Sequence, residues 1–468
     1  MDWTTLGVDL HLELDPAFGR RSGLERALRQ AIRTGRLAAQ TRLPSTRALA
    51  AELNIARGTV SAAYDQLIAE GYLSARTGSG TVVTGRPEIR APAKRPVSEA
   101  PPPRYDLRPG SPDVSAFPTA AWLRATRRAL DHAPAAAYDY GDPRGRIELR
   151  TALAEYLGRA RGVLTTPEQI VITSGYVHAL ALLADVIGGV APATIAMEDP
   201  GLSFHRDVVR HARARVVALP VDERGARTDL LSTAAFSDVR AVVVTPAHQY
   251  PTGVTLHPQR RHAVAEWTGA RDGLVIEDDY DGEFRYDRQP VGALQGMAPD
   301  HVAYVGTTSK TLGPALRLGW MVLPERLIEP VTEAKRHTVM HTETIGQLTL
   351  ADLIASHAYE RHIRACRLRY RRRRDLLISR LGPRSERRFT VYGIAAGLHV
   401  MISLPATGPS EERILTDAAD QGLALGDLGS HWHTPGDRPQ GLIIGYGTPG
   451  EGAYPAALDT MARVLRGL

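Results

Sequence analysis

The chain has 468 residues, too many for one ordinary core; 43% hydrophobic and 23% charged residues describe a folded protein of two or three domains. One cysteine, Cys366, excludes an intramolecular disulfide and a cysteine metal cluster, and no apolar run reaches the ~18 residues of a membrane span. The opening MDWTTLGVDLHLELD lacks the basic-then-apolar order of an export signal, so a cytoplasmic location without a membrane partner is expected. Net charge is +6, but its distribution is more telling: residues 18–84 hold ten arginines against four acids, while residues 1–17 hold four acids and no Lys or Arg. A local basic excess suits a phosphate-backbone partner.

The first elements are helical. SGLERALRQAIRTGRL (22–37) has an amphipathic pattern, Ser45 and Thr46 are N-cap types before RALAAEL, and Arg57-Gly58-Thr59 opens a further helix. Leu49, Ala50 and Leu53 fall on one face of the second helix, and Val60, Tyr64, Leu67 and Ile68 on one face of the third. The short link NIA makes this a helix–turn–helix, leaving Arg57 to Ser61 free to enter a major groove. Residues 71–84 form a glycine-bearing hairpin, with Gly78 and Gly80 allowing close approach to phosphate. The stretch LPSTRALAAELNIARGTVSAAYDQLIAEGYLSARTGSGTVV resembles a GntR-type winged helix. That resemblance implies contacts to double-stranded operator DNA from Arg47, Arg57, Thr59 and Ser61, and from Thr77 and Gly78 of the wing.

Residues 85–104, GRPEIRAPAKRPVSEAPPPR, are proline-rich and aperiodic; they read as a linker between a DNA-binding domain at 1–84 and a body at 105–468. In the body, QIVIT (169–173), TIAME (194–198), ARVVALPV (214–221), AVVVTP (241–246), LVIEDDY (274–280) and VAYVGTTS (302–309) are apolar runs of strand length, many separated by helical stretches. This alternation predicts an α/β body with a mainly parallel sheet. After about residue 330 an arginine-rich helix and the strands FTVYG, GLHVMISL and GLIIGYG predict a small α+β subdomain. In the arginine run, Arg364, Arg367 and Arg371 share one helical face, and Arg369 and Arg373 another. It reads as a solvated or intersubunit helix, with DNA contact as the alternative.

Several body residues suit pyridoxal 5'-phosphate (PLP). That cofactor requires a lysine for its aldehyde, a carboxylate for its ring nitrogen, a donor for its phenolic oxygen and an amide-rich, positive phosphate site. Lys310 follows an apolar strand among small hydroxyls; Thr307 and Ser309 can donate to phosphate, and Arg317 can pair with it. Asp278 and Tyr280 are two apart and share one strand face, with Asp279 pointing away. Gly175, Tyr176 and Val177 lie where strand passes to helix, offering free amides to an anion. The turn TPAHQYPTGVT, which includes Tyr250, lies beside the ring.

The body resembles fold-type I, class I aminotransferases over roughly 105–468, through YGDPRGRIELRTALAEYLGRARGV, TPAHQYPTGV, IEDDYDGEFRY and GTTSKTLGPALRLGW. The whole chain is similar to MocR/GabR-type regulators. The resemblance implies Lys310 as the Schiff-base lysine, Asp278 as the pyridinium partner, and Tyr280, Thr307, Ser309 and Arg317 as cofactor contacts. It implies a homodimer, domain-swapped, in which Tyr140 reaches the partner subunit's phosphate. The chain departs from the family at four places. Leu202 stands where a ring-stacking tyrosine is usual, leaving stacking to Leu202, Phe204 or His205. Tyr250 replaces an asparagine, Val177 and His178 replace glutamines, and Ile443 stands near the place of the carboxylate-clamping arginine.

These readings converge on a PLP-binding, effector-responsive transcriptional regulator. An amine effector would exchange with Lys310. In one alternative, PLP itself is the signal and the gene targets concern vitamin B6 synthesis. In another, the body is a working aminotransferase with an accessory head, which the lost arginine disfavours.

Overall fold

In the N-terminal unit, leucines and alanines spaced three and four apart draw three helices onto one another. The computed structural model describes residues 18–76, 80–84, 102–189, 193–287, 291–383 and 388–466. The helices are α1 (Arg20–Arg33), α2 (Thr46–Glu52) and α3 (Arg57–Ala69). Their core holds Leu24, Leu28 and Ala31, Leu49 and Ala50, and Val60, Ala63, Tyr64 and Leu67; Leu53 and Ile68 pack at its edge. Ser45 caps α2 by accepting from the Ala48 N–H at 3.1 Å. The Tyr64 hydroxyl donates to Pro44 O at 3.1 Å and pins the turn before α2. Strands β1 (Leu73–Arg76) and β2 (Gly80–Val83) pair antiparallel, and residues 40–43 line the free edge of β2, with Leu43 N–H donating to Thr81 O at 2.8 Å. Gly80 has φ +82, a left-handed conformation that favours glycine, and the nearest atoms to a Cβ there belong to the flexible Arg42 side chain. Thr77 and Gly78 lie outside the described residues, as does the linker through residue 101.

The second compact unit lies within Pro101–Leu468. It runs β3 (Tyr105–Asp106), α4 (Thr119–His132), α5 (Ile147–Arg161), β4 (Ile170–Thr173), α6 (Tyr176–Gly188), β5 (Thr194–Asp199), α7 (Ser203–His211), β6 (Arg215–Asp222), β7 (Gly225–Ala226), β8 (Val239–Val244), α8 (Pro258–Arg271), β9 (Leu274–Asp279), β10 (Val302–Thr307) and β11 (Gly319–Val322). Then come α9 (Glu325–Thr338), α10 (Thr344–Ala355), α11 (Ala358–Arg380), β12 (Thr390–Tyr392), β13 (His399–Ser403), α12 (Glu411–Asp420), β14 (Leu423–Ala424), β15 (Gly426–Asp427), β16 (Gly441–Gly445) and α13 (Tyr454–Leu465).

The main sheet has the order β4-β11-β10-β9-β8-β5-β6-β7. Its centre, β10 through β6, is parallel, while β11 is antiparallel to both neighbours and β7 to β6. One face packs on Ala179, Leu180 and Leu183 of α6, and the other on Val264 and Trp267 of α8. Cover on both faces explains why these strands read as continuous apolar runs rather than as alternation. Strand β11 was not foreseen: four residues after Leu318 are too short a signal beside the adjoining SKTLGPALR motif. A second, antiparallel sheet, β12-β13-β16-β15, forms the small subdomain, and β3 pairs with β14.

Helix α11 corrects the reading of the arginine run. Arg373 is buried and donates to Tyr446 O (3.1 Å) and Gly447 O (2.9 Å), while Arg367 donates to Glu283 O at 2.7 Å. These two guanidiniums satisfy turn carbonyls that the helix crosses, and Arg364, Arg371 and Arg372 face outward.

Candidate functional site

Parallel strands place their carboxyl ends along one edge of the sheet, where ligands bind α/β folds. Here the ends of β5, β8, β9 and β10, with the start of α6, surround a cavity of ≈360 Å³. Tyr176, Val177, Leu202, His205, Tyr250, Asp278, Tyr280, Thr307, Ser309, Lys310 and Arg317 line it. Sequence positions from 176 to 317 thus meet in one space.

Strand alternation divides the two neighbouring aspartates. Asp278 is buried, facing the cavity, and its Oδ1 has no hydrogen-bond partner. Burial pushes its carboxyl well above the usual range, and the charge of Asp279 adds to that. A buried carboxylate in this condition gains most from a cation or an N–H donor brought in by a ligand. Asp279 points to the other side of β9, where Arg161 grips it at 2.7 and 3.0 Å and the Tyr304 hydroxyl donates at 2.7 Å.

Lys310 sits just past β10, half-buried, its Nζ donating to Gly110 O. Burial lowers its amine below the ordinary lysine range, against the opposing pull of Asp281 and Asp278. The neutral, nucleophilic form is therefore reached at lower pH than for a solvated lysine. The sequence holds only three lysines, Lys94, Lys310 and Lys335, in a chain otherwise reliant on arginine. Guanidinium does not capture aldehydes as an amine does, and Lys335 is buried away from the cavity, donating to Pro143 O.

The anion end is built on glycine. Gly175 has φ +95, and a Cβ on it would stand 3.2 Å from the Arg317 guanidinium; a Cβ on Gly319 would meet Gly175 Cα at 2.8 Å. Gly175 N-caps α6 without a side-chain cap, so the first amides of this 13-residue helix are unclaimed. Thr307 Oγ1 and Ser309 Oγ lie 2.9 Å apart beside them.

Tyr280 falls one residue past β9, and its hydroxyl lies 3.2 Å from His248 Nδ1, which is 2.9 Å from Asp281 Oδ2. This His248–Asp281 pair was missed in sequence reasoning; Asp281 lies past the end of β9, where strand alternation no longer assigns a face. Leu202 and His205 face the cavity, but Phe204 is 57% exposed and is no stacking partner. One step along α7 rotates a side chain by about 100°, so Phe204 and His205 diverge. His205 packs on Tyr176, ring centroids 4.7 Å apart, and burial holds its pKa at about 4, so it is neutral at pH 7. Tyr250 packs its ring on His399 and His431 at 5.0 and 5.2 Å. Tyr140 is 79% exposed and lies outside the cavity of its own chain. Ile443 is buried in β16, and Arg206 spends its guanidinium on the carbonyls of Gly201, His431 and Trp432.

A lysine, a buried carboxyl with an orphaned Oδ1 and a glycine-built anion cradle in one cavity fit PLP, with Lys310 placed to take its aldehyde, Asp278 its ring nitrogen, and Arg317, Thr307, Ser309 and the α6 amides its phosphate. When bound, the cofactor supplies a reactive aldehyde and an electron-withdrawing ring. With a winged helix in the same chain, this defines a DNA-binding regulator built on an aminotransferase scaffold. Residues 107–425 match the aminotransferase class I and II family, and residues 21–83 the gntR family of bacterial regulatory proteins. The chain is 33% identical to the pyridoxine biosynthesis transcriptional regulator PdxR of Corynebacterium glutamicum, over 94% of this chain and 93% of that one. It is 32% identical to the probable rhizopine catabolism regulatory protein MocR of Rhizobium meliloti, over 93% and 92%. The kynurenine aminotransferase structure from Pyrococcus horikoshii superposes with a TM-score of 0.70 at 25% identity, covering 77% of this chain and 90% of that one. The chain belongs to the MocR/PdxR-type family of helix–turn–helix transcriptional regulators and is PLP-dependent. No helix among the described residues is long and apolar enough to cross a membrane.

Proposed function

We propose that this regulator uses PLP held on Lys310 as its sensor, in a cytoplasmic, domain-swapped homodimer, and that cofactor occupancy itself is the signal that alters operator binding. The observation that carries this is the unpartnered Oδ1 of buried Asp278 in the same cavity as Lys310 and Arg317. The lining of the cavity favours PLP over an amino acid as the effector. It includes Leu202, Tyr250 and neutral His205, while Arg206 gives both terminal nitrogens to three backbone carbonyls. An effector carboxylate would find no free bidentate partner in Arg206. Exchange of an amine effector with Lys310 is the second reading, supported by the opening of Lys310 onto the same ≈360 Å³ cavity. Operator affinity measured with PLP alone, with PLP plus candidate amines, and with neither decides between them: a response to PLP alone supports the first, and a response needing amine supports the second.

The exposed Arg47 and Arg57, with Thr59 and Ser61 on the first turns of α3, are the base- or phosphate-reading groups of this proposal. Glu70 does not compete for them, being paired with Arg29 at 2.8 Å. Arg47→Ala and Arg57→Ala each weaken operator binding by about 1–3 kcal/mol, measured by gel shift at fixed salt. Unchanged affinity in both variants rejects the assignment.

The lowered Lys310 amine sets a pH dependence. The rate of PLP capture, followed by borohydride trapping, rises with pH and levels off below the ~10.4 of a solvated lysine. A rate still climbing beyond about pH 10 contradicts the buried-amine account.

A further inference from the structure

We infer that Arg42 is a further DNA-contacting residue, a phosphate clamp on the outer face of the wing, in addition to the reading groups of α2 and α3. This rests on the reading of the N-terminal unit as the DNA-binding one.

Strand register decides where Arg42 stands. Residues 40–43 run antiparallel along β2, with Val83 N–H donating to Thr41 O at 2.9 Å and Leu43 N–H to Thr81 O at 2.8 Å. Between these two bonds Arg42 is opposite Val82. Leu43 and Val83 are buried in the core of the unit, so alternation sends Arg42 to the other face, together with Val82 and Gly80. Gly80 is the first residue of β2, and its pair with Arg76 is the last before the hairpin turns. The Arg42 guanidinium lies over this glycine: a Cβ on Gly80 would stand 3.0 Å from Nε and 3.2 Å from Nη2. With no side chain at position 80, the guanidinium runs along the outer face toward the turn of the wing.

The protein itself makes no use of this cation. Arg42 is exposed, and among the described residues no hydrogen bond or ion pair reaches it. By contrast, Arg21 is paired with Glu25 and Arg29 with Glu70, each at 2.8 Å. The run that carries Arg42 is also fixed to α3. Tyr64 of α3 donates to Pro44 O at 3.1 Å, and Arg57 Nε donates to Thr46 Oγ1 at 3.4 Å. The four residues from Arg42 to Thr46 span ~14 Å at most. That reach is comparable to the ~12 Å width of a major groove. With the start of α3 in a major groove, Arg42 therefore falls at the rim, where phosphates stand rather than base edges. A guanidinium suits a phosphate, being planar, permanently charged and able to bond it bidentately. Such a contact adds affinity and carries no sequence information.

The test is binding of the full chain to two DNA duplexes of unrelated base sequence, titrated over a range of salt. Arg42→Ala weakens binding to both by the same factor, about tenfold for each head bound, and lowers the slope of log K against log salt by about 1 per head. Arg42→Lys retains the charge and the slope. Because Arg42 is exposed and makes no hydrogen bond, both variants keep the thermal midpoint of the wild type. Unchanged affinity and slope in Arg42→Ala, while Arg47→Ala and Arg57→Ala weaken binding, overturns the inference and leaves the DNA-binding reading intact. A loss confined to one duplex shows base reading and overturns the phosphate clamp, as does a slope in Arg42→Lys as low as in Arg42→Ala. A wild-type chain that binds neither duplex overturns both readings.

Discussion

Lys310→Ala abolishes the covalent cofactor: after incubation with PLP and reduction, no adduct is found on the variant, and operator affinity no longer changes with PLP. The expectation is sharp because the alternatives are few. Of the other two lysines, Lys94 lies in the linker sequence, and Lys335 is fully buried and donates to Pro143 O. Lys335→Arg therefore keeps the adduct. Folding is not at risk, since Lys310 reaches into a cavity rather than a packed core and gives one hydrogen bond, to Gly110 O. A thermal midpoint near wild type, with the adduct lost, is the expected pair of results. An adduct on Lys94 or Lys335 in the wild-type chain refutes the sensor assignment outright.

The parts of this site legible in the sequence are those governed by local rules. Period-two alternation puts Asp278 and Asp279 on opposite faces of β9 whatever the rest of the chain does. A glycine between strand and helix leaves free amides at the start of α6 by the geometry of helix ends. Helical spacing in residues 43–70 identifies the core of the winged helix. What stayed hidden depends on pairing across long stretches. Arg161 finds Asp279 from 118 positions away, and Lys310 finds Gly110 from 200. Strand β3 is two residues long and acquires its role only by pairing with β14. The arginine run misled for a related reason. Charge density suggested a surface, whereas Arg373 and Arg367 are drawn inward by carbonyls of turns after β16 and β9. One sequence signal was available and unused: with three lysines in 468 residues, a lysine placed after a buried strand calls for a chemical explanation.

Arg161→Met destabilises the body by about 3–5 kcal/mol, measured by chemical denaturation, the cost typical of leaving one member of a buried ion pair alone. Both side chains are 1% exposed, and Arg161 supplies two of the three hydrogen bonds to Asp279 reported above. With the guanidinium removed, the carboxylate keeps only the Tyr304 hydroxyl, in a region where Glu283 is already raised to about 7, chiefly by burial and next by Asp279. Replacing both partners, Arg161→Met with Asp279→Leu, recovers most of the loss, because the buried charges leave together. The single variant also acts on the sensor. Asp279 already raises the proton affinity of Asp278, and losing the Arg161 countercharge strengthens that effect. PLP affinity thus falls in the single variant and returns in the double one. A double variant as unstable as the single would show that Arg161 matters for packing rather than for charge.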